Sequence, residues 1–133
     1  EMGVAPYLLA ATLSGIISQR LVRRLCPDCR EMYRAAGDSE EAAFFGAGSE
    51  GITLYRSRGC DACQGTGYRG RTVLAEILVP DEAVREGILQ KVPRRKMAER
   101  ARASGMRSLL EDGRAKAEAG ITSWQEVRRV LYG

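Results

Sequence analysis

The sequence predicts an α+β fold, mainly helical: a tetracysteine zinc-binding lobe with short strands, followed by a small C-terminal helical bundle. Three observations predict it. The chain's four cysteines stand as Cys26-Pro-Asp-Cys29 and Cys60-Asp-Ala-Cys63, and there is no histidine. Two runs, Ile52–Tyr55 and Thr72–Val79, are rich in β-branched and apolar residues and read as strands. From residue 81 onward, helix start and stop signals follow one another closely. The chain is therefore expected to divide into residues 1–25, 26–79 and 80–133.

Taken in order, Leu8, Leu9, Leu13, Ile16, Ile17, Leu21, Val22 and Leu25 follow helical spacing. A helix is expected over 6–25, with Arg20, Arg23 and Arg24 complementing its C-terminal dipole. Pro27 forbids continuation, so the first knuckle starts where this helix stops. Asp38-Ser-Glu-Glu-Ala-Ala-Phe-Phe45 reads as a short capped helix. Pro80 ends the second strand, Asp81 caps a helix to about Gln90, and Pro93 opens another that runs to Ala103. Ser108-Leu-Leu-Glu111 is a capping box whose helix stops at Gly120, where a left-handed residue is wanted. Thr122-Ser-Trp-Gln125 reads as a second box, with Trp124, Val127, Val130 and Leu131 on the buried side of the last helix.

Two thiols three positions apart on a tight turn reach one ion from one side. A second pair completes a tetrahedron of sulfur, the arrangement zinc takes in structural sites. Cys26, Cys29, Cys60 and Cys63 are thus the candidate ligands of one structural Zn2+. Four protein ligands leave no open position for water or substrate. The stretch from Arg30 to Gly59 holds few large apolar residues and is expected to depend on the metal for order.

The composition fits one modest core or a small core plus a metal-held lobe: 133 residues, 44% hydrophobic and 29% charged. The formal charge is +4, and a Zn2+ on four thiolates would lower it to about +2. That bias, with eight aromatic residues that do not interleave with the arginines, argues against a nucleic-acid partner. No targeting or membrane-spanning segment is recognisable. Because Glu1 stands inside an apolar run, the chain reads as a piece of a longer protein. Thiolate ligands point to a reducing compartment, the cytoplasm.

Gly65-Thr-Gly67-Tyr-Arg-Gly70 matches the string of dinucleotide-binding loops. That string has meaning only between a strand and a helix, and here a metal knuckle precedes it. No glycine is followed by lysine, so a Walker A loop is absent. Without histidine there is no Ser-His-Asp or Cys-His arrangement. No catalytic or cofactor-binding residue is expected, and the chain alone should be inactive. Two other readings of the cysteines remain at this point: a zinc ribbon that binds nucleic acid, and a co-chaperone-type zinc domain suggested by Cys60-x-x-Cys63-x-Gly65-x-Gly67.

Further segments order the reading. They are Pro6-Tyr-Leu-Leu-Ala-Ala-Thr-Leu-Ser-Gly-Ile-Ile-Ser-Gln-Arg-Leu-Val-Arg23, Leu25-Cys-Pro-Asp-Cys29, Gly59-Cys60, Gly67-Tyr-Arg-Gly-Arg-Thr72 and Glu76-Ile-Leu78. Gly105-Met106, Glu111-Asp-Gly113 and Gly120-Ile-Thr-Ser123, followed by Glu126-Val127 and Arg129-Val130, complete the series. In this order and with the tetracysteine spacing, almost the whole chain resembles the C-terminal part of the ATPases that drive type II secretion and type IV pilus assembly. Val73 and Ala75 depart from that family's pattern, on the proposed strand and away from the metal ligands.

The resemblance implies that residues 1–25 close a RecA-like nucleotide-binding domain. ATP and Mg2+ would bind upstream of residue 1. The longer protein would be a homohexameric cytoplasmic ATPase docked on inner-membrane platform proteins. Within it this chain would be a structural and inter-subunit module. Arg69 and Arg71, beside the second knuckle, are the candidate interface residues.

Overall fold

The computed structural model of the chain describes residues 2–133. A short helix α1 (Pro6–Thr12) leads into strand β1 (Ile16–Leu25). The first knuckle, strand β2 (Glu31–Ala35), helix α2 (Glu40–Phe45) and strand β3 (Ile52–Arg56) follow. After the second knuckle come strand β4 (Tyr68–Leu78) and helices α3 (Glu82–Leu89), α4 (Arg94–Ala103), α5 (Leu109–Glu118) and α6 (Trp124–Tyr132). No helix among the described residues is long and apolar enough to cross a membrane.

The expected helix over 6–25 is corrected. It stops at Thr12, and 16–25 is a strand paired with β4. Ile16, Ile17, Leu21, Val22 and Leu25 fit a helical stripe on spacing alone. The β-branched residues and the distant partner β4 decide otherwise, because strand preference is set largely by neighbours. Arg20, Arg23 and Arg24 consequently lie on a strand and complement no helix dipole. Strand β2 was not anticipated either; its pairing with β3 sets Tyr33 opposite Leu54 and Ala35 opposite Ile52.

The chain forms two compact units, one of residues 1–18 with 76–107 and one of 19–75 with 108–133. Helices α3 and α4 fall in the first unit and α5 and α6 in the second. In the first unit α3 packs on α1 and on α4, burying Ala10, Val84 and Ala101. Asp81 caps α3 by accepting the Val84 N–H at 2.9 Å. Arg85 donates to the Ala10 carbonyl, and Arg100 donates to the Ala83 carbonyl at 2.8 Å.

In the second unit a single apolar core joins Val22, Phe45, Ile52, Leu54, Leu74, Trp124 and Val127. Helix α5 lies against β3 and α6. Gly113 permits the α5–α6 approach: a Cβ there would sit 2.6 Å from Val127 Cγ1. Ser108 and Glu111 form the expected capping box of α5. At its other end Gly120 takes φ +73°, and the Ile121 N–H returns to the Lys116 carbonyl. The cap of α6 is Ser123 rather than Thr122, since Ser123 Oγ accepts the Glu126 N–H. Thr122 is drawn away to donate to the Arg23 carbonyl at 2.8 Å.

A two-stranded ribbon is marginal unless its edges find partners. Here helix carboxylates supply them. Glu126 accepts the Arg23 backbone N–H at 3.0 Å, and Asp112 accepts the Ala75 N–H at 2.9 Å. The Glu126 side chain is 0% exposed and also receives the guanidinium of Arg23 at 2.9 Å and that of Arg129 at 2.6 Å. Burial alone would raise its pKa, but hydrogen bonds from Arg129 and Arg23 hold it down to about 2.

Because this folded-state pKa lies below the usual 4.5, the stabilisation is complete at neutral pH and is lost as pH falls from about 5 toward 2. Glu126→Gln is expected to destabilise the second unit by about 2–3 kcal/mol at pH 7. Urea unfolding followed by the fluorescence of Trp124, the single tryptophan, measures this. The gap between wild type and variant should close as pH falls through that window. A constant gap would show that the carboxylate's charge is not what matters.

Candidate metal centre

The first knuckle begins where β1 ends. The Cys29 and Arg30 N–H groups both turn back to the Cys26 carbonyl, at 3.4 and 3.0 Å. The second is a single 3-10 turn over Asp61–Cys63, in which the Cys63 and Gly65 N–H groups return to the Cys60 carbonyl. A bond from the Cys26 N–H to the Gly67 carbonyl, 2.9 Å, ties one knuckle to the exit of the other. Glycine is required at two points. Gly59 has φ +99° and Gly67 φ +77°, and a Cβ at either would meet Gly65 O at 2.7 Å or Ser57 Cβ at 2.4 Å. Beyond Gly67 the chain enters β4 and not a helix, so the glycine string lacks the helix N-terminus a dinucleotide needs.

These turns bring the four Sγ atoms within 4.8 Å of one another. Cys26–Cys60 and Cys60–Cys63 are 3.8 Å apart, and Cys29–Cys63 3.9 Å. Sulfurs bound tetrahedrally at about 2.3 Å from one zinc stand about 3.8 Å apart. A disulfide would need about 2.05 Å, and all four thiols are free. Four sulfur donors within this span can hold one metal ion, and a set built of soft sulfur alone suits zinc.

Backbone amides surround it. Gly59 N–H points at Cys29 Sγ (3.3 Å), while Cys60 N–H and Gly67 N–H point at Cys63 Sγ (3.2 and 3.1 Å). Burial pushes the Cys63 thiol up, yet those two amides and the neighbouring thiols bring it down to about 6. For Cys60 a backbone hydrogen bond with Cys63 acts downward, but burial and the thiols of Cys63, Cys29 and Cys26 outweigh it and raise it to about 11. At neutral pH the Cys63 thiol is thus largely ionised and the Cys60 thiol is not.

Of the two arginines singled out from sequence, Arg69 already has a partner: its guanidinium lies 3.1 Å from Asp28, inside the first knuckle, with both side chains about half exposed. Arg71 is exposed. The sequence reading missed this Asp28–Arg69 bridge, the amide–sulfur bonds and the Glu126 node. A carboxylate between two ligand cysteines, opposite an arginine just past the second knuckle, was the available signal for the first. No local pattern announces the other two.

Residues 30–59, expected to depend on the metal for order, also have apolar support, since Ala42, Phe45, Ile52 and Leu54 belong to the main core. Stripping metal with a strong chelator is therefore expected to speed amide exchange at residues 59–67 by at least about a hundredfold. The β3 amides of Ile52 and Leu54 should change little. Equal loss of protection in both segments would mean that the core does not stand without the centre.

Residues 1–129 match the family described as type II/IV secretion system protein. The chain is 43% identical over 131 residues to type II secretion system ATPase E of Vibrio cholerae, covering 98% of this chain and 25% of that protein. Type II secretion system protein E of Pseudomonas aeruginosa is 44% identical, with 98% and 26% covered. The type IV pilus assembly ATPase PilB of Thermus thermophilus is 42% identical over 134 residues, with 96% and 14% covered. The chain thus spans about a quarter or less of the length of these curated relatives. With the match running through both cysteine knuckles and both compact units, the chain belongs to the type II/IV secretion system protein family.

Proposed function

We propose that this chain is the zinc-braced C-terminal module of an ATPase that powers type II secretion or type IV pilus assembly. Cys26, Cys29, Cys60 and Cys63 hold one structural Zn2+, whose contribution is cohesion and not reactivity. The observation that carries this reading is the gathering of four sulfurs within 4.8 Å of one another, with three of their pairs 3.8–3.9 Å apart, in a chain of this family. In the longer protein, ATP and Mg2+ bind outside these residues, and this module is rigid material between moving parts of a homohexamer. Inner-membrane platform proteins of the secretion or pilus machine are its fixed reference, which keeps the assembly at the cytoplasmic face.

Several contacts support a role in rigidity. Arg69–Asp28 links β4 to the first knuckle, and Glu126 with Arg23 and Arg129 locks β1 to α6. Arg71 is left as the interface residue beside the metal, where it meets an acidic surface of a neighbouring subunit. A nucleic-acid ribbon is disfavoured by the aromatics. Tyr68, Tyr55 and Tyr33 are each covered by an arginine of this chain, Arg23, Arg30 and Arg56, at 4.1–5.1 Å. A guanidinium covers one face of each ring, and none of the three is exposed as a stacking platform would be.

The test is made in the full-length protein. Cys60→Ser is expected to lower ATP turnover by about a hundredfold through misplacement of moving parts, while nucleotide binding changes little. Unchanged turnover in a protein shown to have lost its zinc contradicts the proposal. The 133-residue chain alone should show no turnover above a buffer blank. Charge reversal of Arg69 and Arg71 together should impair hexamer formation or turnover; if both survive, the two arginines are ordinary surface.

A further inference from the structure

Charge is unevenly spread along this chain. Residues 91–107 carry seven basic side chains and one acidic, although the whole chain carries only +4. Lys91, Arg94, Arg95, Lys96 and Arg107 are exposed. Three of them occupy the first turn of α4, which has no acidic residue there and no side-chain cap. Cations at that end oppose the helix dipole and repel one another. Arg95 is offset by Glu99 at 3.4 Å, but Arg94 and Lys96 make no ion pair among the described residues. Such an arrangement costs stability in the free chain and is relieved by an anionic partner.

Residues 38–50 are the reverse: four acidic side chains and none basic. Asp38, Glu40 and Glu50 are exposed. Glu40 pairs with Arg128; Asp38 and Glu50 make no ion pair among the described residues.

We infer that the basic start of α4 docks on the acidic 38–50 surface of a second copy of this chain. The inference rests on the ring-ATPase reading above and adds to it a named contact. Contact between two different patches on successive copies is heterologous, the type that builds rings when the rotation closes. Complementary charge fixes register and speeds encounter more than it adds raw affinity. Two other anionic partners fit less well. No large apolar side chain between 91 and 107 is exposed, so α4 lacks what an interfacial helix inserts into lipid. The segment also has no aromatic residue for stacking bases.

The experiment uses the full-length protein and reversals at positions without internal ion pairs. Arg94→Glu with Lys96→Glu forms one variant, Asp38→Lys with Glu50→Lys a second, and all four changes a third. Sedimentation velocity across a concentration series reads the assembly midpoint. Each double variant is expected to raise that midpoint about tenfold at low salt, and the quadruple variant to return it to within about twofold of wild type. A quadruple variant no better than either double overturns the contact. So does a basic-site variant that loses binding to phosphatidylglycerol vesicles or to duplex DNA while the acidic-site variant behaves as wild type. Failure of the unaltered protein to assemble overturns the ring reading itself, whereas normal assembly in all three variants overturns only this contact.

Discussion

Four thiols gathered within 4.8 Å of one another set the terms for the middle of this chain. Thiolates held this close repel one another, so each one added raises the cost of the next. A divalent cation at the centre removes that repulsion and converts it into attraction. The turns, the left-handed glycines at 59 and 67, and the amides aimed at sulfur all hold the four thiols together. The Asp28–Arg69 bridge then fastens the first knuckle to the strand that leaves the second.

Away from the centre the same economy recurs with carboxylates. The β1–β4 ribbon has only two strands, and such ribbons are weak by themselves. Glu126 and Asp112 bring helix side chains to its edge amides, and Glu126 is in turn neutralised by two arginines. The half-exposed arginine heads lower the desolvation cost of the pair, while the buried carboxylate gives it geometry. Force applied to the ribbon is thereby carried into α6 and α5 through ionic hydrogen bonds as well as apolar packing.

Local sequence chemistry revealed much of this and hid a definable remainder. The capped starts of α2, α3 and α5, the stop at Gly120 and the strands around Leu54 and Leu74 were legible because each is dictated by neighbours in sequence. The gathering of the four cysteines was legible because paired Cys-x-x-Cys spacing has few other uses. Strand β1 reads as helix from sequence because Ile16, Ile17, Leu21, Val22 and Leu25 fit helical spacing, and the partner that decides otherwise lies some fifty residues away. Strand β2 depends likewise on β3. Ser123 displaced Thr122 as the cap of α6 because Thr122 was claimed by the Arg23 carbonyl, a contact between residues 99 positions apart. Glu126 looked like an ordinary first-turn acid, and only the tertiary fold shows it to be the most buried charge.

The most direct measurement of the central claim is X-ray absorption at the zinc edge on protein purified without added metal, with metal content determined in parallel. One zinc per chain, with four sulfur neighbours at about 2.3 Å and no nitrogen or oxygen shell, is the expected result. Absence of zinc, or a first shell containing oxygen with fewer than four sulfurs, contradicts a closed tetrathiolate centre at Cys26, Cys29, Cys60 and Cys63.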